Sequence, residues 1–159
     1  LQELCLKNNK KLVVYISMAF GNPYSEKYHP DLVALIANQL NIYGVKIIAL
    51  SDTIGVSTPS NIKPIFNLLI PEYPNIEFGA HFHTKPDEWK LKIKSAYDSG
   101  CRRFDTTIRG YGGCPMAKDD LTGNMPTEKV VSFFDQEGIE YNLDVNVLNQ
   151  IVDKMSIYF

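Results

Sequence analysis

The sequence predicts an α/β fold made of four consecutive strand–helix units. Short runs rich in β-branched and aromatic residues alternate with longer segments of helical periodicity, and a turn-prone polar loop follows each run. Each unit occupies roughly thirty residues, a spacing that joins parallel strands through right-handed crossovers. A closed (β/α)8 TIM barrel needs eight such units and roughly 250 residues. Four units in 159 residues therefore predict half of a TIM barrel, followed by C-terminal helices.

Helix start and stop signals separate the units. Pro30 lies in the first turn of the first long helix, and Gly44 ends that helix. Thr58 and Pro59 supply an N-cap and a first-turn proline for the second helix, and Gly100 ends the third. The predicted strands cover residues 11–17, 45–50, 76–83 and 101–108, and the predicted helices cover residues 29–43, 58–70, 86–99, 126–134 and 144–155.

The composition excludes several classes of partner. With a net charge of −2 and a pI near 5.9, the chain has no basic face that could neutralise phosphates, so we expect no nucleic-acid partner. No apolar run reaches the ~18 residues needed to span a bilayer, so we expect no membrane partner. Cys5, Cys101 and Cys114 have no disulfide or zinc spacing, which favours a reducing, cytoplasmic compartment. Because the chain starts at Leu1, we expect a processed or truncated piece.

A candidate metal site lies at the carboxyl end of the third predicted strand. Alternate residues of a strand share one face, so His81 and His83 can reach the same point. The next loop is rich in glycine and contains Cys114 and Asn124. Imidazole nitrogens and a carboxamide oxygen are plausible ligands for a divalent metal. Taken alone, however, the histidines are equally compatible with a satisfied core position, and the cysteine with an inert small apolar residue.

Four motifs together resemble one enzyme family. The segments are Ser51-Asp-Thr-Ile-Gly55, His81-Phe-His83, Gly112-Gly-Cys-Pro115 and Gly123-Asn124. In this order, at successive strand ends, they resemble the hydroxymethylglutaryl-CoA lyases of the metal-dependent TIM-barrel lyase and synthase superfamily. The resemblance covers nearly the whole chain and aligns it with strands five to eight of that barrel. It implies that residues 1–159 are the C-terminal half of a lyase domain, with strand–helix units and a catalytic loop in residues 1–125 and helices in residues 126–159.

The resemblance also implies a site and a reaction. His81, His83 and Asn124 correspond to the ligands of a divalent cation, Mg or Mn, and Cys114 and His81 to catalytic residues. Asp52 and Thr53 correspond to the substrate pocket, although the same pair could merely cap a helix. The implied reaction is retro-Claisen cleavage of a 3-hydroxy-3-methylglutaryl-CoA-like thioester to an acyl-CoA and a keto acid.

Two alternatives remain open at the level of sequence. The chain could belong to a synthase or aldolase of the same superfamily, although the related synthases lack the loop cysteine. It could also be a non-catalytic fragment or a subunit, because the family's first two strands supply further site residues that have no counterpart here. In either case we expect an acyl-CoA substrate and a partner that completes the barrel, either its N-terminal half or a second copy of the chain.

Two departures from the family pattern concern the same site. Thr84 follows the second histidine where the lyases usually carry an aspartate, so the groups that orient the histidines are expected to differ. The spacing from Cys114 to Asn124 is one residue longer than the usual loop, which suggests a divergent lid over the substrate.

Overall fold

Four parallel strands form the frame of the protein in the computed structural model, which describes residues 1–117, 122–155 and 157. The strands lie side by side in chain order. Such an order requires a crossover after each strand, because parallel neighbours cannot be joined by a hairpin. A fifth short strand pairs antiparallel with the end of the third. The strands are β1 (Val13–Ile16), β2 (Ile47–Asp52), β3 (Glu77–Thr84), β4 (Arg103–Phe104) and β5 (Gly123–Asn124).

The described residues contain six α-helices, three of which are the crossovers between parallel strands. The first helix precedes β1, the second, third and fourth connect β1 to β2, β2 to β3 and β3 to β4, and the last two follow β5. Within these residues no helix is both long and apolar enough to cross a membrane. The helices are α1 (Gln2–Lys7), α2 (Pro30–Ile42), α3 (Pro59–Glu72), α4 (Trp89–Asp98), α5 (Thr127–Glu137) and α6 (Val145–Met155).

Local capping sets the helix boundaries. His29 Nδ1 accepts a hydrogen bond of 3.3 Å from the backbone N–H of Asp31 at the start of α2. At the start of α3, Asn61 Oδ1 accepts a hydrogen bond of 2.7 Å from the backbone N–H of Thr58. Both contacts supply acceptors for backbone N–H groups at the start of a helix, which have no acceptor within the helix. Gly138 closes α5 with a left-handed φ of 66°, which a glycine adopts without steric cost.

The outer face of the sheet packs against the helices. Ile48 and Leu50 of β2 and Phe78 and Phe82 of β3 are almost fully buried there. Their partners are apolar side chains of the crossover helices, which belong to the same buried cluster. Burial of this surface is the main stabilising contribution to the fold. The helix residues that line the cluster are Val33, Ala37, Ile62, Ile65, Phe66, Leu69, Ile93 and Ala96.

The inner face of the sheet is concave. By strand register, Tyr15 of β1 is aligned with Ala49, Gly79 and Arg103 on the following strands. The hydroxyl of Tyr15 donates a hydrogen bond of 2.7 Å to Asp105 Oδ2, just beyond β4. In a flat sheet three strand spacings would separate β1 from β4 by about 14 Å. The contact is therefore possible only because the sheet curves as part of a barrel wall.

The predicted fold class is confirmed, and most predicted elements are present with ends shifted by a few residues. The sequence predicted a strand over residues 101–108, and this length is wrong, because only Arg103 and Phe104 pair with β3. After them Thr107 bridges to Pro126, and residues Ile108–Gly110 form a single 3₁₀ turn. In the described part of the chain β4 has a neighbour on one side only, so nothing extends its ladder. The sequence did not predict α1 or β5.

Candidate active site

His81 and His83 lie near the carboxyl end of β3 and face the inside of the curved sheet. Their ring centroids are 5.3 Å apart, and the rings are nearly perpendicular, with an interplanar angle of 86°. His83 is buried, at 7% exposure, whereas the His81 side chain is 31% exposed. The alternation expected of a strand thus places both imidazoles on one face. In parallel α/β folds this strand end is where reactive groups collect.

A backbone contact fixes the protonation pattern of His83. Its Nδ1 lies 2.9 Å from the carbonyl oxygen of Asp52. A carbonyl can only accept a hydrogen bond, so Nδ1 carries the proton in the neutral ring and Nε2 keeps its lone pair. Metal-binding histidines commonly have their second nitrogen held in this way. His83 is therefore oriented as a ligand would be.

Asn124 is held directly opposite His83. The two residues are register partners in the antiparallel pair of β3 and β5. The side-chain amide of Asn124 donates a hydrogen bond of 2.9 Å to the carbonyl oxygen of Tyr111. Because the NH₂ group points to that carbonyl, Oδ1 is the atom that can serve as a ligand. The structure thus brings His81, His83 and Asn124 to one corner of the sheet.

Close backbone packing explains the glycine-rich loop. A Cβ on Gly112 would lie 2.9 Å from Asn124 Nδ2, and a Cβ on Gly113 would lie 2.8 Å from the carbonyl oxygen of Thr122. The backbone N–H of Asn124 also donates to the carbonyl oxygen of Gly112 at 3.2 Å. These contacts anchor the segment before Cys114 onto β5. The thiol of Cys114 is of intermediate burial, whereas Cys101 is buried.

The segment from Cys114 to Asn124, whose longer spacing was noted in the sequence, includes residues 118–121, which lie outside the described residues. What the structure describes is the anchoring of both ends of this loop, residues 110–113 on one side and residues 122–124 on the other. Cys114 follows the first anchored end directly.

Tyr15 and Asp105 complete the inner face beside His81. The His81 ring stacks edge-on with Tyr15, with centroids 5.6 Å apart. His81 Nδ1 lies 3.4 Å from Asp105 Oδ2, close enough for an ion pair but without the alignment of a hydrogen bond. The hydrogen bond from Tyr15 to Asp105, together with burial, raises the pKa of the Tyr15 phenol.

Asp52 points away from the histidines. It is aligned with Phe82, on the helix side of the sheet, and is only 1% exposed. Its carboxylate accepts hydrogen bonds of 3.0 Å each from the Ser57 backbone N–H and from Lys92 Nζ, and a further one from the Ser57 hydroxyl. The chain itself therefore satisfies this carboxylate. The inward-facing residue of the motif is Ser51, the register partner of His81, which sequence reasoning missed.

Thr53 links two of the loops above the strands. Its Oγ1 accepts a hydrogen bond of 2.9 Å from the backbone N–H of Met18 in the loop after β1. Met18 has a left-handed φ of 58°, an uncommon conformation for a residue other than glycine. The contact holds this strained turn next to the loop after β2.

One large cavity lies far from these residues. It has a volume of about 540 Å³ and is formed at the amino ends of the strands by α1 and neighbouring segments, including Lys10, Lys46 and Ile76. Among the cavities at the opposite end, one of about 320 Å³ borders Asn124. We assign the candidate site to the carboxyl ends of the strands, because the oriented ligand groups are there.

The residues present fit a divalent cation in part. The two imidazoles, one with a fixed tautomer, and the oriented amide oxygen form a set of two nitrogen donors and one oxygen donor. In residues 1–117, 122–155 and 157 no group of three or more His, Cys, Asp and Glu side chains could hold a metal. Hard cations such as Mg usually take one or two carboxylates. The site therefore fits as one part of a coordination shell, with His81, His83 and Asn124 as its donors.

Comparison with known proteins identifies the family. The family model described as HMGL-like matches residues 4–155. The chain belongs to the HMGL-like family. A hydroxymethylglutaryl-CoA lyase from Pseudomonas mevalonii is 30% identical over 145 residues, which cover 89% of this chain and 47% of that protein. The mitochondrial lyase of Mus musculus is 33% identical over 139 residues, which cover 87% of this chain and 42% of that protein.

Solved structures of the same family confirm the fold class, a partial TIM barrel. The lyase from Bacillus subtilis superposes with a TM-score of 0.90 at 26% identity, covering 99% of this chain and 52% of that one. A lyase from Acinetobacter baumannii, determined in complex with coenzyme A and 3-methylmalate, gives a TM-score of 0.83 at 27% identity, covering 94% of this chain and 49% of that one. This chain thus spans about half the length of its relatives.

Proposed function

We propose that this chain carries part of the active site of a carbon–carbon lyase that cleaves a 3-hydroxy-3-methylglutaryl-CoA-like thioester by a metal-assisted retro-Claisen reaction. The observation that supports this most is the pairing of His83 with Asn124 beneath the loop that carries Cys114. His83 and Asn124 are the candidate ligands in this pair, and Cys114 in the adjoining loop is the candidate proton donor. The relatives named hydroxymethylglutaryl-CoA lyases supply the substrate class.

The reaction assigns a proton transfer to each end of the cleaved bond. A base removes the proton of the tertiary hydroxyl. His81 was expected to be a catalytic residue as well as a ligand, but a neutral imidazole has a single lone pair, and binding of the ion would use it. The C–C bond then breaks to give a keto acid and the enolate of the acyl thioester. The Cys114 thiol donates a proton to the enolate carbon, which yields the acyl-CoA and prevents recondensation. A divalent ion, Mg or Mn, held by His81, His83 and Asn124 would supply positive charge next to the substrate oxygens.

We propose different tasks for the remaining site residues. Ser51 and Tyr15 face the same interior as the histidines, so they are the candidates for substrate contact from β2 and β1. Asp52 and Thr53 were expected to line the pocket, and we now propose that they support it through the loops. Such a division follows from strand alternation, because only every second residue can reach the interior.

We also propose that residues 1–159 act as the C-terminal half of the lyase domain. Residues 1–125 would contain the strand–helix units and the catalytic loop, and residues 126–159 the last helices. In the described chain β1 and β4 each have a neighbour on one side only. The partner is the N-terminal half of the barrel or a second copy of the chain. The relatives' names include both mitochondrial and cytoplasmic lyases, and we propose the cytoplasm as the compartment.

The test is a product assay on the protein supplied with Mn²⁺ and with the N-terminal half of a related lyase. Cleavage of 3-hydroxy-3-methylglutaryl-CoA to acetyl-CoA and acetoacetate is the expected outcome. Formation of a hydroxyacyl product from an acyl-CoA and a keto acid, without cleavage, would favour the synthase alternative instead. Absence of both reactions in the assembled barrel would contradict a catalytic role.

A further inference from the structure

Lys92 on α4 is a buried cation that the proposed reaction does not use. Only 2% of its side chain is exposed. An ammonium group has three N–H donors, and Lys92 Nζ has three acceptors in the described structure. They are Asp52 Oδ2 at 3.0 Å, the carbonyl oxygen of Gly55 at 3.0 Å and the carbonyl oxygen of His83 at 2.8 Å.

Stability alone is a weak reason for such an arrangement. Taking an ammonium and a carboxylate out of water costs free energy for each ion, and the attraction between them repays this cost only when the geometry is good. Apolar residues of similar volume often serve at least as well in a core. On α4, Lys92 shares its buried side with Ile93 and Ala96, where an apolar side chain would be expected. What the lysine adds is a fixed geometry, because its three hydrogen bonds hold three separate groups in place relative to one another.

Two of those groups belong to Asp52 and His83, the two residues whose contact orients the His83 ring. Lys92 binds the carboxylate of Asp52 and the main-chain carbonyl of His83 itself. The main-chain carbonyl of Asp52 in turn accepts the Nδ1 proton of His83. From the helix side of the sheet, Lys92 therefore binds both of the residues, Asp52 and His83, that form the orienting hydrogen bond. Its third bond, to Gly55, holds the loop that follows Asp52.

We propose that Lys92 is a positioning residue for His83. By fixing the end of β2, the loop after it and the end of β3 as one unit, Lys92 keeps the imidazole in its Nδ1–H form with Nε2 facing the interior. The importance of Nε2 as a ligand rests on the proposed function. The orientation of the ring does not, since the network is present in the protein chain alone.

The test uses a double variant, because Lys92→Met alone would leave the Asp52 carboxylate buried without its cation. Lys92→Met combined with Asp52→Asn removes both charges, keeps the shape of residue 52 and leaves an unbranched side chain one atom shorter at residue 92. The carboxamide oxygen introduced by Asp52→Asn can still accept a hydrogen bond from the Ser57 backbone N–H. The main-chain carbonyls of Gly55 and His83, however, both lack the hydrogen bond that Lys92 donates in the wild type. The matched control is Lys94→Met, two residues along the same helix, where the lysine is 45% exposed and pairs with Asp98 at 3.3 Å.

The main readout is the His83 tautomer in the metal-free protein, measured by long-range ¹H–¹⁵N NMR at pH about 9, where a histidine is neutral. We expect a single Nδ1–H tautomer in the wild type and in Lys94→Met, and a mixture containing Nε2–H in the double variant. A single Nδ1–H tautomer in the folded double variant would overturn the proposal. Loss of the supports that orient a ligand typically weakens metal binding by about 10–100-fold.

A Ni²⁺ titration by calorimetry separates this inference from the proposed function. The double variant should bind Ni²⁺ at least about tenfold more weakly than Lys94→Met. Equal affinity would count against a positioning role for Lys92. If neither the wild type nor Lys94→Met binds Ni²⁺, the proposed ligand set is wrong, while the tautomer result still decides what Lys92 does.

Discussion

His83 and Asn124 are directly opposite each other across an antiparallel pair of strands. Opposed side chains of this kind have Cβ atoms about 4.5–5.5 Å apart. The histidine belongs to the central parallel sheet, whereas the asparagine belongs to the segment that follows the glycine-rich loop. The relative position of two candidate ligands is therefore set by how closely the loop backbone packs against β5.

The first prediction tests that packing with Gly112→Ala. The new Cβ would lie 2.9 Å from Asn124 Nδ2, and the backbone has a left-handed φ of +84°, so Asn124 must move. We expect Ni²⁺ affinity, measured by calorimetry, to fall by about tenfold or more, comparable with the loss of a ligand support.

Gly138→Ala is the matched control for this substitution. Gly138 also has a left-handed φ, +66°, but a Cβ there would have nothing within 4 Å. Both variants should lose roughly 1–2 kcal/mol of folding free energy from backbone strain, whereas only Gly112→Ala should lose metal affinity. Equal affinities in the two variants would show that the loop does not position Asn124.

The second prediction concerns the proton donor. In the completed barrel, Cys114→Ala should lower kcat by about 10²–10⁴-fold, the usual contribution of a general acid. Metal affinity should change little, because the thiol is not among the proposed ligands. Cys5→Ala, a second thiol of intermediate burial but located on α1, is the control. Normal turnover by Cys114→Ala would remove this residue from the mechanism.

The third prediction distinguishes the cysteines by their reactivity. Burial raises the pKa of the Cys101 thiol to about 12, from an ordinary value of 9.0. Since the thiolate is the nucleophile, iodoacetamide at pH about 8 should modify Cys5 and Cys114 in the native protein and leave Cys101 unmodified until urea is added. Mass spectrometry of the digested protein measures this directly, and rapid native labelling of Cys101 would contradict its burial.

The same shift has a consequence for stability. The folded-state pKa of Cys101 is raised, so its contribution is fully present below the unfolded value of 9.0 and is lost as the pH rises towards about 12. A Cys101→Ala variant should therefore lose less stability between these pH values than the wild type, as measured by urea unfolding.

The fourth prediction concerns association. The edges of the sheet include Val13-Val14-Tyr15 of β1 and Arg103-Phe104 of β4 with Asp105 just after it, and open edges are templates for pairing with another chain. The surface also exposes apolar side chains of α2, such as Leu32 and Leu35. Light scattering at micromolar concentration should show a dimer or larger species, or a complex with the N-terminal half when that is present. A monodisperse monomer would be the contrary result.

Sequence periodicity predicted the parallel sheet and its crossover helices because each unit has its own start and stop signals. It could not predict β5, since two residues give no periodic pattern, and that strand exists only through its pairing with β3. The family motifs indicated His81, His83 and Asn124, and in the structure His83 and Asn124 are register partners at the end of β3. They did not say whether Ser51 or Asp52 faces inward. That depends on the register of β2 against β3, because a shift of one residue moves every side chain to the other face of the sheet.

Lys92 shows what a pattern of residue types hides. In the sequence Trp89-Lys-Leu-Lys-Ile-Lys it resembles its neighbours Lys90 and Lys94, which are on the surface. A helical count does place it on the same side as Ala96, which is buried. The helical spacing therefore did indicate that Lys92 is buried. The acceptors that make its burial tolerable lie elsewhere in the sequence, on β2, on β3 and in the loop after β2.

The last prediction is that residues 1–159 alone bind the catalytic metal weakly and do not turn over substrate. His81, His83 and Asn124 are all neutral donors, and the described residues add no cluster of acidic or thiol ligands to them. Mg²⁺ and Mn²⁺ favour carboxylate oxygens, whereas Zn²⁺ and Ni²⁺ accept sites rich in imidazole. Weak Mn²⁺ binding by electron paramagnetic resonance is therefore expected beside measurable Ni²⁺ binding.

Adding the N-terminal half of a related lyase in trans should produce tight Mn²⁺ binding and lyase activity together, since that half-barrel would supply the remaining ligands. Both quantities should be measured on the same sample, with His83→Ala as the control that removes a ligand from this chain. Submicromolar Mn²⁺ affinity with steady turnover by residues 1–159 alone would show that this half-barrel is self-sufficient, because no second chain would then be needed to complete the shell.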